Sequence, residues 1–221
     1  MLKADLHIHT ECSFDCCTPL RAVVERCQKK GINCVAVADH GTIAGAVKLR
    51  ETAPFKVVVA EEVLTPVGEV MGMFLREEVP SNIPLEEAIA RIKDQGALVC
   101  LPHPFDYMRG LNRKMVSMEW LAPHVDVVEV FNARALPLPR ADRKARRFAA
   151  EHGLLCSAGS DAHTPGEIGH AYVEMPEFET VDDFRAALAQ GRIRGRRSCP
   201  TVHALSMWQT FKGRLFKGKG G

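Results

Sequence analysis

Short, continuously apolar segments alternate along the sequence with segments of helical periodicity, and this alternation restricts the fold more than any other feature. The apolar segments are predicted as strands at residues 1–6, 34–38, 56–60, 97–101, 125–131, 154–158 and 172–175. Strands that are apolar on both faces are typical of parallel sheets covered by helices on both sides. The pattern therefore predicts an α/β fold, either a closed barrel or an open doubly wound sheet.

Local signals mark the helices and one hairpin between these strands. Thr18 and Pro19 are predicted as the N-cap and the first residue of a helix that ends at Gly31. Residues 82–95, 114–121 and 140–152 are predicted as further helices, and residues 63–75 as a hairpin that turns at 66–68. The segment Thr180-Val-Asp-Asp183 is typical of a capping box that starts a helix reaching Gln190.

The length and composition indicate one domain in a soluble protein. The 221 residues are predicted to form a domain at 1–195 and a basic, partly helical tail at 196–221. No apolar run approaches the roughly 18 residues of a membrane span, and the N-terminus has no signal segment. The net charge of +2 indicates no general attraction to nucleic acid. We expect a cytoplasmic location, no membrane contact and no obligate protein partner.

The eight cysteines do not predict disulfides or a cysteine metal site. Cys34, Cys100 and Cys156 lie in apolar runs, where cysteine behaves as a small hydrophobic residue. The group at positions 12, 16 and 17 lacks the CxxC spacing of a zinc site. A chain of this length also needs no disulfides for stability, so a reducing compartment is expected.

Residues that bind metals follow nearly every predicted strand. Six successive apolar runs end in residues of this kind or in a polar residue: His7 and His9, His40, Glu62, His103, Asn132, and Asp161 with His163. In parallel α/β folds the carboxyl ends of the strands build the active site. Polar residues at loop starts are the alternative, but loops favour Gly, Asn, Ser and Pro rather than histidine. The positions therefore predict a site for several metal ions at one mouth of a closed ring.

The number of candidate ligands supports more than one ion. The predicted donors are His7, His9, Asp15, His40, Glu62, His103, Asp161 and His163. One zinc or manganese ion takes about four to six ligands, some of them water, so eight donors with a bridging carboxylate suit two or three ions. Along a strand, His7 and His9 share one face, and Leu6 and Ile8 are expected to pack on the other.

The stretches DLHIHT, ADH, HP and GSDAH, in this order and spacing, resemble the PHP (polymerase and histidinol phosphatase) superfamily. The resemblance implies a distorted seven-stranded (β/α)7 TIM-like barrel that binds up to three zinc, manganese or iron ions. It implies three ligand groups: His7, His9, Glu62 and Asp161 for one ion, Glu62 and His103 for a second, and Asp15, His40 and His163 for a third. It also favours Glu62 over Glu61 as the bridging ligand.

Two positions depart from the family pattern. Relatives often carry a further His or Cys for the second ion near the end of the sixth strand. The corresponding stretch here reads Glu129-Val-Phe-Asn-Ala-Arg134, so Asn132 or water is expected to complete that ion. The first loop reads Ser13-Phe-Asp15 where Ser-Asp-Gly is commoner, and Asp15 is retained as the expected ligand.

Clustered metal ions predict hydrolysis of phosphate monoesters by metal-activated hydroxide. Asp161, His163 and His40 are predicted as catalytic residues, and Arg134, Asn132 and Arg109 as substrate-binding residues, with His170 near the pocket. By the resemblance, the expected substrates are nucleotides, nucleoside bisphosphates or short oligonucleotides, including short RNA. The alternatives are a histidinol-phosphatase-like enzyme and a metal-binding regulatory domain without turnover.

Overall fold

A computed structural model describes residues 1–106, 110–111, 115–135, 139–199 and 202. The strands are β1 (Leu2–Ile8), β2 (Cys34–Val37), β3 (Lys56–Thr65), β4 (Gly68–Met73), β5 (Leu98–Leu101), β6 (Val127–Asn132), β7 (Leu155–Gly159), β8 (Ala171–Met175) and β9 (Arg192–Gly195). The helices are α1 (Leu20–Lys30), α2 (Ala44–Thr52), α3 (Leu85–Asp94), α4 (Met118–Leu121), α5 (Pro139–His152) and α6 (Val181–Ala189). A 3-10 turn, Ala122–His124, follows α4.

The strands form one sheet in the order β7-β6-β5-β4-β3-β2-β1-β8-β9, and this sheet nearly closes into a barrel. The closure joins the end of β1 to the end of β7. The Asp161 N–H donates to the carbonyl of His7 at 2.7 Å, and the His9 N–H donates to the carbonyl of Ala162 at 3.0 Å. Gly159 permits this approach, because a Cβ there would lie 2.2 Å from Cβ of His7.

The α/β class and the barrel-like sheet are confirmed, but the described residues contain nine strands where seven were expected. The hairpin predicted at 63–75 is confirmed, since β4 pairs antiparallel with β3 and turns between Thr65 and Gly68. The expectation of a parallel sheet is wrong for β8 and β9, which pair antiparallel with their neighbours. The tight turn between Thr65 and Gly68 forces β4 back along β3, since parallel strands need a long crossover. The Arg-Ile-Arg-Gly sequence of β9 carries no apolar run, so no strand was predicted there.

Two apolar layers lie on the two sides of the sheet. The outer layer contains the buried faces of α1, α2, α3 and α5 against alternate strand residues such as Val35 and Val37. The inner layer fills the barrel with the intervening residues, such as Cys34 and Ala36, together with Phe184 and Leu188 of α6. Helix α6 covers the end of the barrel where the strands begin, which we call the closed end.

Two local predictions about the first hundred residues are wrong for identifiable reasons. Leu6 belongs to the inner layer and Ile8 to the outer, because the register of β1 against β2 shifts between Asp5 and Ile8. Such a bulge places an extra residue in one strand and redirects the side chains after it. Thr18 does not cap α1, because its hydroxyl donates to the carbonyl of His163 at 2.9 Å.

The capping box of α6 is confirmed, with Thr180 and Asp183 exchanging the two expected bonds.

Within the residues that the structure describes, no helix is both long and apolar enough to cross a bilayer. Arg109, the start of the predicted helix at 114–121, and nearly all of the predicted tail lie outside those residues. The boundary at 195 stays a prediction.

Candidate metal centre

The eight predicted donors come together at the end of the barrel opposite α6, where the parallel strands finish. We call this end the mouth. The backbones of His40 and Glu62 pair there, and Asp161 is hydrogen-bonded to the end of β1. Seven of the eight side chains are at most 8% exposed, and Asp15 is 24% exposed. Residues separated by up to 156 positions in sequence, such as His7 and His163, therefore share one site.

Four donors surround one point between β1, β3 and β7. The Nε2 atoms of His7 and His9 lie 3.1 Å apart, and they lie 3.2 and 3.4 Å from Oε2 of Glu62. Oδ1 of Asp161 lies 3.8 Å from Nε2 of His7 and 3.3 Å from Nε2 of His9. Two imidazole nitrogens and two carboxylate oxygens thus converge.

These separations fit a single bound cation. Zinc is bound by histidine and carboxylate at about 2.0–2.2 Å, and a tetrahedron with such bonds has ligand-to-ligand edges of about 3.3–3.6 Å. Five of the six distances among the four donor atoms run from 3.1 to 3.8 Å, and the ligand atoms of His7, His9 and Asp161 all lie within 4.8 Å of one another. The residues therefore fit a divalent ion in both donor type and spacing.

A second group of donors lies beside the first, on the side of the first loop. His9, Asp15, His40 and His163 have ligand atoms that all lie within 4.8 Å of one another. Oδ2 of Asp15 is 2.8 Å from Nε2 of His163 and 3.5 Å from Nε2 of His40. The Ser13 hydroxyl donates to the other oxygen of Asp15, which fixes the carboxylate.

A third group lies on the side of β5. His7, Glu62 and His103 have ligand atoms within 4.8 Å of one another, and Nε2 of His103 is 3.1 Å from Oε1 of Glu62. The two oxygens of Glu62 therefore face different groups of donors, which is the arrangement of a bridging carboxylate. Glu61 points elsewhere, since its Oε2 accepts from the N–H of Val79.

Outer contacts orient the imidazoles so that their Nε2 atoms face the mouth. Nδ1 of His7 lies 3.1 Å from Oε1 of Glu129, and Nδ1 of His163 lies 2.9 Å from the carbonyl of Asp161. Histidines that bind metals commonly donate their second N–H to such a carboxylate or carbonyl, which leaves the other nitrogen free to coordinate. Glu129 was missed in the sequence, although a glutamate within an apolar strand is itself unusual.

The charges at the mouth favour a cation. Burial would raise the pKa of Glu62, but the neighbouring imidazoles hold it well below its ordinary value, and Asp15 behaves in the same way. Burial opposes protonation of His40, yet Glu62 and Asp15 raise its pKa to about 9. Burial and three neighbouring imidazoles lower the pKa of His9 to about 3. Buried carboxylates that stay ionised need a nearby positive charge.

Two candidate ligands have strained backbones. His103 has φ 28° and Asp161 has φ 54°, a region that non-glycine residues seldom occupy. Such strain persists only where the surrounding structure enforces it, and it is concentrated at functional sites. The hydrogen bond from the Asp161 N–H to β1 is part of that enforcement.

The predicted substrate-binding residues have different positions. Asn132 donates to Glu129 at 2.9 Å and to Asp161 at 3.1 Å, so its amide orients these side chains. Arg134 is buried, with Nε 3.6 Å from Oε1 of Glu167 beside the His163 loop. Arg109 lies outside the described residues. His170 does not join the donor groups and instead contacts Ser198 and Arg196.

Comparisons with known sequences identify relatives of this chain. A family model described as PHP-associated (PHP_C) matches residues 139–193. The uncharacterized protein MJ0417 of Methanocaldococcus jannaschii is 38% identical over 193 residues, covering 83% of this chain and 75% of that protein. A second uncharacterized protein of that organism, MJ1587, is 38% identical over 146 residues, covering 60% of this chain and 82% of that protein.

Solved structures share the fold at low sequence identity. A two-domain protein of Bacteroides vulgatus containing a predicted PHP-like metal-dependent phosphoesterase superposes with a TM-score of 0.70 at 18% identity, covering 88% of this chain. This chain spans 65% of that protein's length. PsfC of Pseudomonas syringae superposes with a TM-score of 0.69 at 17% identity, covering 96% of this chain and 98% of PsfC.

Proposed function

Because the chain belongs to the PHP superfamily, we propose that it is a metal-dependent phosphoesterase that hydrolyses phosphate monoesters of nucleotides. The observation that carries the proposal is the convergence of His7, His9, Glu62 and Asp161, in which both imidazole Nε2 atoms lie 3.2 to 3.8 Å from an oxygen of each carboxylate. We assign the two flanking groups of donors to further ions, for two or three in all, with zinc, manganese or iron as the candidates. The strands β1–β7 correspond in this proposal to the seven of the family barrel, with β8 and β9 added beside β1.

Bound divalent ions would lower the pKa of a water molecule towards about 7 and neutralise charge on the phosphate oxygens. The chain's own residues position the reacting groups. Asp161 is held by Asn132, and His7 is held by Glu129, so both present fixed ligand atoms. His40 and His163 flank Asp15 at the edge of the mouth, and in a two-ion form, in which this group binds no metal, either imidazole could pass a proton to the leaving group. We assign the phosphate itself to Arg134, a buried guanidinium beside the His163 loop.

Phe14 favours a nucleotide among phosphate monoesters. Its ring is 55% exposed, directly precedes Asp15, and lies with its centroid 5.2 Å from that of His40. An exposed aromatic ring next to a phosphate site is a stacking platform for a base, which any nucleobase can use. Nucleoside monophosphates, bisphosphates and the 5′ end of a short RNA all present a base and a phosphate together.

The test is a phosphate-release assay on protein stripped of metal with a chelator and supplemented with Mn²⁺, Zn²⁺ or Fe²⁺. The substrates are nucleoside monophosphates, nucleoside 3′,5′-bisphosphates, a 5′-phosphorylated short RNA, histidinol phosphate, a sugar phosphate and p-nitrophenyl phosphate. We expect metal-dependent hydrolysis with nucleotides preferred, lost in Asp161→Ala and retained in Asp182→Ala on the exposed surface of α6.

Each other outcome has a defined meaning. Preference for histidinol phosphate would assign the alternative enzyme. Tight metal binding without release of phosphate from any substrate would indicate a metal-binding domain without turnover. Absence of metal binding would contradict the proposal altogether.

A further inference from the structure

The donor group on the side of β5 is short of a ligand. Glu62 and His103 are close enough to share an ion, but His7 in that group is already directed towards the point between β1, β3 and β7. Two protein ligands are fewer than the three that catalytic zinc sites keep. Water alone would have to supply the remainder unless another side chain reaches the position.

The end of β6, where relatives often carry a His or Cys, does not supply that ligand. The Asn132 amide nitrogen donates to Glu129 and Asp161, and its oxygen accepts from the backbone N–H groups of Arg134 and Ala135. Glu129 accepts from the N–H of His103 at 2.8 Å and also contacts Nδ1 of His7. Both side chains are therefore engaged in orienting the ligands around them.

The register of the β3–β4 hairpin directs a different carboxylate to the mouth. Glu62 is paired with Met71, and Leu64 is paired with Glu69. Side chains of directly opposed residues share a face, as do residues two apart on one strand. Glu69 therefore points to the same side of the sheet as Glu62, two pairs nearer to the turn.

The distances agree with this register. Oε2 of Glu69 lies 3.5 Å from Nε2 of His103, while Oε1 of Glu62 lies 3.1 Å from the same nitrogen. The Glu69 side chain is 17% exposed, compared with 2% for Glu62, so it lies at the solvent side of His103. Two carboxylates from neighbouring strands thus converge on one imidazole.

We propose that Glu69 is the third protein ligand of the ion held by Glu62 and His103. This inference rests on the proposed metal-dependent function and adds a ligand from β4. One imidazole with two carboxylates is a harder donor set than one with an additional His or Cys. This position should therefore favour manganese or ferrous iron more than a site with more nitrogen or sulfur ligands would.

The test measures bound metal rather than activity. Wild type, Glu69→Gln, Glu69→His and the exposed control Glu77→Gln are stripped of metal and dialysed against Mn²⁺, and bound metal per chain is measured by mass spectrometry. We expect Glu69→Gln to bind about one Mn²⁺ fewer than wild type, and Glu77→Gln to match wild type. Glu69→His should restore the stoichiometry and shift the preference from Mn²⁺ towards Zn²⁺, since imidazole suits zinc.

A second readout is the electron paramagnetic resonance spectrum of the Mn²⁺ form. Coupling between manganese ions that share Glu62 should be present in wild type and lost in Glu69→Gln. Unchanged stoichiometry and coupling in Glu69→Gln would show that water completes the ion, which overturns the inference but leaves the proposed function standing. A wild type that binds no metal would overturn both.

Discussion

The two ends of the barrel are built from the same strands but are stabilised in opposite ways. At the closed end, Phe74, Phe178 and Phe184 pack edge to face, with centroids 4.9 to 6.0 Å apart. At the mouth, the buried volume is occupied by imidazoles and carboxylates. The closed end thus gains from dispersion and burial of apolar surface, whereas the mouth buries ionised groups that are costly unless a cation accompanies them.

The difference indicates that function and stability are separable along the barrel axis. In α/β barrels the carboxyl ends of the strands carry the chemistry and the opposite ends contribute stability. Ion pairs at the closed end, such as Lys56 with Glu179 and Arg185 with Asp126, lie at the surface and add little. Substitutions at the two ends should therefore change different observables.

The largest effect is expected at the mouth, from Glu62→Gln. Glu62 lies within 3.6 Å of His7, His9, His40 and His103, so its loss affects every donor group. We expect kcat/KM to fall by about 10³-fold or more, equivalent to about 4 kcal/mol. The increase in Tm on addition of Mn²⁺ should also disappear, because a ligand raises Tm only when it binds the folded protein.

The matched control for that variant is Glu61→Gln on the adjacent position of β3. Glu61 accepts from the N–H of Val79 and does not face the mouth, so this variant should keep the response of Tm to Mn²⁺. Equal loss of the response in both variants would mean that the response does not depend on the carboxylate that faces the mouth.

The next largest effect is expected at the closed end, from Phe184→Ala. The side chain is fully buried and contacts two other aromatic rings, so truncation leaves a cavity. We expect the free energy of unfolding in urea to fall by about 3–4 kcal/mol. Metal bound per folded chain and kcat should stay within twofold of wild type. A parallel loss of bound metal would contradict the separation, and Phe184→Leu should show a smaller loss of stability.

Most of the candidate ligands at the mouth could be predicted from the sequence. Histidines at strand ends were recognisable because a closed sheet brings all its carboxyl ends together, whatever their separation in sequence. The choice between Glu61 and Glu62 was not available from spacing alone, since adjacent residues on a strand face opposite sides and the register was unknown. The family resemblance favoured Glu62, and the structure places that residue at the mouth.

Residues that act through other residues gave weaker signals. Glu129 lies within a predicted apolar strand, and its role depends on contacts with His7 and His103 that only the fold creates. Glu69 lies next to the turn of the β3–β4 hairpin, where a glutamate is ordinarily solvent-exposed. The bulge in β1 has no local sequence signal either. Tertiary pairing decides these positions, and no single stretch encodes it.

A smaller effect is expected from Glu129→Gln, which tests whether the outer contacts set the metal affinity of the mouth. An amide at this position retains an acceptor for His7 but directs an NH2 group towards two donors, the N–H of His103 and the amide of Asn132. We expect Mn²⁺ affinity to fall by about 10–100-fold with the number of ions unchanged. Glu151→Gln on the exposed face of α5 is the control, and calorimetric titration with Mn²⁺ measures both.

The smallest effect is expected from Phe14→Leu, which tests whether the rim of the mouth selects the substrate. Phe14 and Trp120 are both exposed aromatic residues, but of the two only Phe14 is packed against a donor histidine, His40. Leucine keeps an apolar side chain but removes the π face on which a base can stack. If stacking on this half-exposed ring is worth about 1 kcal/mol, KM for a nucleoside monophosphate should rise by about fivefold. KM for glycerol phosphate, which has no base, should not change, and Trp120→Leu should affect neither substrate. An equal rise for both substrates would instead show that Phe14 supports His40, and would place substrate selection elsewhere at the mouth.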